Sequence, residues 1–235
     1  MKDFLEHLLE RFGFDRKFIR QIASGRRYYA IELVNGNIGV CATLGDKLPD
    51  QLPEWINPEL ERHRIILTAY FNALLNYRSE NITETGDITE TVDLGKYRNI
   101  HIVGKFSPVF ERLDKMGIRY TYSDLRDLDD PMNQISRQLD LIKNADCLIM
   151  SATTVYNGTF NYLIENSPHS DKFLLGPSSL MTPEICDWGI KGSFGVRFKP
   201  YDSRVLGLIA QDYGTRYFLK RGKKVALLCA STINR

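Results

Sequence analysis

From Asn99 onward, short apolar runs alternate with stretches of helical spacing, and this alternation narrows the fold more than any other feature of the chain. Residues 100–103, 119–122, 147–150, 173–175, 194–198 and 225–228 read as strands. Residues 108–116, 132–143, 159–164, 183–188 and 203–211 read as helices, and Thr182 before Pro183 reads as an N-cap. Repeated βα alternation predicts an α/β fold: a mostly parallel, Rossmann-like sheet with helices on both faces and right-handed crossovers.

Three loops follow apolar runs and precede helical patterns. They are Gly104-Lys105-Phe106-Ser107-Pro108, Thr153-Thr154-Val155-Tyr156-Asn157-Gly158-Thr159 and Gly176-Pro177-Ser178-Ser179. In a parallel sheet such points gather on one edge, where ligands bind. Helix N-termini present unpaired N–H groups and partial positive charge. Each contributes roughly 0.3–1 kcal/mol, or ~2 when partly buried. Three together straddle the ~4 kcal/mol of a millimolar ligand, so useful affinity needs a further contact. Phe106 and Tyr156 are candidate aromatic contacts, and Lys105 a candidate cation. The competing reading makes these hydroxyls helix caps and Lys105 a surface lysine.

Asp124 follows the second strand, 20 residues after Gly104, where a dinucleotide fold often places a ribose-binding acid. The second and third glycines of that fingerprint are absent, which argues against NAD. Asp124 and Asp127 as solvated loop residues are an equal reading. Histidines 7, 63, 101 and 169 and cysteines 41, 147, 186 and 229 show no ligand spacing. His101 reads as a satisfied histidine inside a strand, and Cys147 and Cys229 read as buried small hydrophobes. No nucleophile elbow is present.

The 235 residues leave room for two domains, and a net charge of +2 with dispersed Lys and Arg does not call for nucleic acid. The first ten residues are acidic and amphipathic, unlike a signal peptide, and no apolar run could span a bilayer. A cytoplasmic protein without a membrane partner is the expectation.

The N-terminal stretch, residues 1–25, reads as helix, broken at Gly13, with 14–22 adding a turn or two. Residues 28–34 and 38–44 flank Asn35-Gly36, a hairpin signal. A loop with three prolines spans 46–58. A helix over 59–77 buries Ile66, Ala69, Tyr70, Ala73, Leu74 and Tyr77. The polar stretch 79–93 reads as an exposed connection with at most one extended piece. It places a boundary between a small α+β domain, 1–91, and the α/β domain, 92–235.

Asn144 to Thr159, with Asp146-Cys147-Leu148-Ile149-Met150-Ser151-Ala152-Thr153-Thr154 at its heart, and Gly176-Pro177-Ser178-Ser179 resemble a prokaryotic family described as putative heavy-metal chelation proteins. Val103-Gly104-Lys105-Phe106-Ser107-Pro108 matches its first strand-end loop, and the hairpin with Gly36 and Gly39 its other domain. The resemblance implies an enolase N-terminal-like α+β domain followed by a Rossmann-like domain, with a ligand in the interdomain cleft. It implies a small-molecule or metal-complex partner and leaves the cofactor open between a metal ion and a pterin- or flavin-like compound. Gly104, Lys105, Phe106, Asp124, Thr153, Thr154, Asn157, Gly158, Thr159, Gly176, Pro177 and Ser178 are the site residues carried over or read at the strand ends. Ala152 stands where that family has glycine, and Asp124 where it has glutamate. A binding or chelation protein is the first expectation. An enzyme acting on a pterin-, flavin- or nucleotide-like substrate, with Asp124 or Lys105 moving a proton, is the alternative. A homo-oligomer is compatible with both.

Overall fold

The protein, analysed as a computed structural model, is described over residues 2–124 and 138–229. Helix α1 (Phe4–Phe12) starts at Asp3, whose side chain accepts from Leu5 N at 3.0 Å and Glu6 N at 3.2 Å. It ends at Gly13, at φ 68°. Three strands follow, β1 (Ile19–Ser24), β2 (Tyr28–Leu33) and β3 (Ile38–Ala42), forming an antiparallel sheet in the order β1-β2-β3.

Of residues 14–22, read as a helical turn or two, Arg16–Phe18 form a 3-10 turn, and strand β1 corrects the remainder from Ile19. Phe18, Ile19 and Ile22 mimic helical spacing, yet the chain extends and pairs with β2 from Ile19 opposite Leu33 to Ser24 opposite Tyr29. Pairing with a strand that buries both faces outweighs weak local periodicity.

The β2–β3 turn forms around Asn35-Gly36 as expected, with three residues enclosed rather than two: Leu33 N donates to Asn37 O at 2.9 Å. Gly36 sits at φ 84°, and a Cβ there would lie 2.5 Å from the Tyr201 ring. Tyr201 donates through its backbone N to Gly36 O at 2.9 Å and through its hydroxyl to Val34 O at 3.0 Å. Gly36→Ala therefore both strains the turn and displaces Tyr201. A loss of about 1–3 kcal/mol is expected, read as a lower urea midpoint at unchanged slope.

Helix α2 (Glu61–Leu75) lies across one face of this sheet, burying Ile66, Ala69, Tyr70 and Ala73 as expected. The chain then enters a second sheet. Strand β4 (Ile82–Glu84) and helix α3 (Ile88–Thr91) occupy the stretch read as an exposed connection. β4 pairs with the last strand, and Ile88 is fully buried. β4 is the one extended piece that reading allowed; α3 and the burial of Ile88 depart from it.

The remaining elements are β5 (Ile100–Val103), α4 (Ser107–Lys115), β6 (Tyr120–Ser123), β7 (Cys147–Ser151), α5 (Thr153–Tyr156), α6 (Phe160–Glu165), β8 (Asp171–Leu175), β9 (Ile190–Phe198), α7 (Ser203–Ala210), α8 (Thr215–Phe218) and β10 (Gly222–Leu228). Residues 138–143 are largely helical, while 132–137 of the helix expected there lie outside the described residues. The expected helix over Pro183–Trp188 is a 3-10 helix, and Thr182 donates its hydroxyl to Glu184 instead of capping it.

The second sheet runs β4-β10-β9-β8-β7-β5-β6. The five strands from β9 to β6 are parallel, and β10 and β4 are antiparallel additions. Alternate residues feed two cores, as expected for strands buried on both faces. Leu148, Met150, Leu174 and Leu227 pack with α1, α2, α5 and α6, whereas Ile100, Ile102, Ile149 and Phe173 pack with α3 and α4. A third core joins the outer face of the small sheet to α7, α8 and the end of β9 through Ala30, Val40, Phe198, Val205 and Phe218. Cys229, read as a small hydrophobe, is instead disulfide-bonded to Cys186, a pairing across 43 residues that spacing does not reveal.

Candidate functional site

The chain leaves β5 for β6 on one side and returns to β7 on the other, so the strand order reverses between β5 and β7. In doubly wound sheets, ligands bind at the C-terminal end of such a reversal. Gly104 follows β5, Asp124 follows β6, Thr153 follows β7 and Gly176 follows β8, so all four lie along one edge. Gly104 is at φ 111°, donates to Ser123 O at 2.7 Å, and would place a Cβ 3.0 Å from that of Ser151. The first two loops thus meet at the reversal, and only glycine fits their approach. Lys105 is exposed beside it, and Phe106 is half-buried against the α4 core.

The predicted residues divide into two groups. Thr153, Asn157 and Thr159 are half-buried, and Gly158, at φ 80°, is exposed. Asn157 Oδ1 accepts from Thr159 N at 3.1 Å and Thr159 Oγ1 at 2.8 Å, bracing the loop and leaving the Asn157 amide nitrogen outside this brace. Thr153 shares a 2.8 Å hydroxyl contact with Ser151. By contrast, Thr154 and Ser178 are buried and engaged within the protein. Thr154 Oγ1 donates to Ser151 O at 2.7 Å, and Ser178 Oγ accepts from Ala42 N of β3 at 2.9 Å. Pro177 is half-buried, its carbonyl accepting from Asn72 at 3.0 Å.

The element that fixes these loops lies outside the residues the sequence offers as site candidates. Arg64, Thr68, Asn72 and Asn76 recur every fourth residue on α2 and its C-cap, and all are buried. Arg64 holds the second loop: Nε donates to Tyr156 O at 2.6 Å and Nη2 to Val155 O at 2.7 Å. Its other donors reach Pro58 O at 3.2 Å and the Asp3 carboxylate at 2.8 Å and 3.1 Å. Asn76 holds the third loop, donating to Ser179 O at 2.9 Å and accepting from Met181 N at 2.8 Å. Asn72 reaches Pro177 O and, at 3.3 Å, Ser179 O. A polar residue every fourth place in an apolar helix was the available signal.

Around Thr68 the stripe meets Cys41, Ser178 and Tyr156. Burial pushes the Cys41 thiol far up, opposed by the adjoining Ser178 and Thr68 hydroxyls. Burial raises Tyr156 as well. Among the described residues, the buried hydroxyls of Tyr29 and Tyr156 have no hydrogen-bond partner, and that of Thr68 has none besides its approach to the Cys41 thiol. These groups are uncharged donors at neutral pH.

His101 is the satisfied histidine the sequence suggested. Its ring nitrogens contact Thr121 Oγ1 and Ser123 Oγ, each at 2.8 Å, and burial lowers its pKa to about 4. The folded value lies below the unfolded ~6.5, so the unfolded chain binds more protons between them. Stability is therefore full above pH 6.5 and falls as pH drops toward 4. Between pH 7 and pH 5 about 2 kcal/mol should be lost on this account and spared in His101→Gln, as urea titrations at both pH values would show.

Among the described residues, no three His, Cys, Asp or Glu side chains come together as a metal-binding group. A donor set for a resident metal is therefore not built from them. No helix among them is long and apolar enough to cross a membrane. A cavity of about 1020 Å³ opens beside the opposite ends of β5 and β6, lined by Arg98, His101, Arg119 and Asn144 among others, and includes none of the predicted site residues.

Comparison with curated proteins finds no match. Two crystal structures of DUF364 proteins of unknown function resemble most of the chain. The one from Pyrococcus horikoshii is 17% identical with a TM-score of 0.70, covering 89% of this chain and 94% of its own. The one from Desulfitobacterium hafniense is 16% identical with a TM-score of 0.71, covering 96% and 99%. At that identity the likeness shows the fold alone. The family model of DUF364, described as putative heavy-metal chelation, matches residues 87–228, from α3 to the end of β10, and the chain therefore belongs to that family.

Proposed function

We propose that the protein binds a small anionic or ring-containing molecule at the β5/β7 reversal, beside Gly104, Lys105, Phe106, Thr153, Asn157 and Thr159. The two sheets are then two domains; because β4 pairs with β10, the division is placed before Ile82 in preference to 91/92, and the ligand lies where the smaller one overlies the edge of the larger. The observation that carries this reading is the approach of Gly104 to Ser151, which brings two ligand-type loops together where the strand order reverses. Lys105 supplies charge, the Asn157 amide a donor and the Phe106 ring a face for stacking. Thr154 and Ser178 act by holding the loops in shape. Asp124, at the end of the neighbouring strand, borders the same edge.

The family's description enters here through the ligand. With no three-donor cluster among the described residues, a metal would arrive already held by an organic ligand, and the protein would recognise the complex.

The test is a calorimetric screen of pterins, flavins, nucleotides and metal complexes against the intact protein. For any compound that binds, Gly104→Val should abolish binding by closing the approach to Ser151. Asn157→Ala should weaken it about 10-fold, the effect of one good hydrogen bond. A compound bound equally by wild type and both variants would place the site elsewhere.

A further inference from the structure

The chain that leaves the third loop runs through Leu180, Met181 and Thr182 into the 3-10 helix Pro183–Trp188. This turn is a junction of three elements. Glu184 pairs with Arg11 of α1 at 2.9 Å. Trp188 packs its ring against Phe4 and His7 of α1, both at 4.9 Å between centroids. Cys186 is joined to Cys229, just beyond β10, with their Cα atoms 5.8 Å apart. Cys229 N in turn donates to Lys191 O at the start of β9 at 3.0 Å.

We propose that the Cys186–Cys229 bond is a redox-operated clasp at this junction, opened by a dithiol reductant and closed by its oxidation. Access and competition support it. Cys186 is the more exposed of the pair, half-buried where Cys229 is buried, so attack falls on the Cys186 sulfur and Cys229 is the leaving group. The free cysteines, Cys41 and Cys147, are both buried, and burial raises both thiols, so neither competes within the folded protein. In the step, a reductant thiolate bonds to Cys186 Sγ, the Sγ–Sγ bond breaks, and Cys229 leaves as a thiolate that takes a proton. The reductant's second thiolate then displaces Cys186 and closes the reductant's own disulfide. Two electrons and two protons pass to the protein. The bond closes a sequence separation of 43 residues, so its loss restores freedom to the unfolded chain. In the folded state it unties the α1-binding turn from β10. This reading does not depend on the ligand site.

The test uses the full chain equilibrated with oxidised glutathione or with dithiothreitol. Oxidised protein should show no thiol reactive toward an aromatic disulfide reagent while native, and only Cys41 and Cys147 after denaturation. Reduction should expose Cys186 in the native state, lower the melting temperature by roughly 10 °C, and speed hydrogen exchange in 183–189 and α1. The double variant Cys186→Ser, Cys229→Ser should melt like the reduced wild type and ignore dithiothreitol. Should that variant fold poorly, thiol titration and exchange on wild type alone still decide. Four reactive thiols in denatured oxidised protein, or a melting temperature and exchange pattern indifferent to dithiothreitol, would overturn the proposal.

Discussion

Arg64→Leu should unfold in urea with about 4 kcal/mol less stability than wild type. Arg64 lies at 8% exposure and directs its donors to three carbonyls and one carboxylate. Leucine fills much of the volume, so the loss comes from polarity. The Val155 and Tyr156 carbonyls, in the last residues of α5, would lose the cation that offsets their partial negative charge. Asp3 would keep its bonds to Leu5 and Glu6 but lose its counter-ion. Removing one partner of a buried charged group leaves the others desolvated and unpaired, the costly side of the asymmetry. Arg64→Lys should recover only part of the loss, because a single ammonium cannot reach carbonyls and carboxylate in the guanidinium's planar fork. A loss below 1 kcal/mol for Arg64→Leu would mean that the second loop is held by something else.

Gly39→Ala should cost about 3 kcal/mol, and more if the hairpin cannot shift. A methyl group there would lie 2.1 Å from Ala69 O and 2.2 Å from Ala73 N. Both are backbone atoms of α2, so no rotamer change relieves the clash. Either β3 lifts from α2 or the helix moves. Moving α2 pulls Asn72 and Asn76 from the third loop, and moving β3 pulls Ala42 N from Ser178. The variant should therefore lose order in the third loop along with stability, which faster proteolysis of 176–182 would report. Unchanged stability would mean that the close packing of β3 on α2 is not present in solution.

Much of the larger sheet was legible because its strands are short apolar runs between glycines and helical patterns. The edge that carries the candidate site was legible for the same reason: in a parallel sheet, loop position follows from strand direction. Strand β9 begins at Ile190, earlier than its apolar part suggests, because Gly192 and Ser193 dilute the pattern where the strand packs closely on its neighbours. The first strand was lost because Phe18, Ile19 and Ile22 fit a helix, and only pairing with β2 decides between them. The roles of individual loop residues were hidden for a different reason. Ser, Thr and Asn have the same chemistry whether they meet a ligand or the protein. Thr154 and Ser178 turn inward because α2 and β3 lie over them, a fact of tertiary packing. The four-residue spacing of Arg64, Thr68, Asn72 and Asn76 was on the page, masked by the apolar residues between them.

Hydrogen exchange at the Met181 amide tests most directly whether α2 holds the rim of the larger sheet. This amide donates to the side chain of Asn76, at the C-cap of α2, at 2.8 Å. It should be strongly protected in wild type and lose protection on the order of 100-fold in Asn76→Ala, while the core amides of β7 and β8 keep theirs. A Met181 amide that already exchanges in wild type like an open loop would contradict the arrangement from which the site is built.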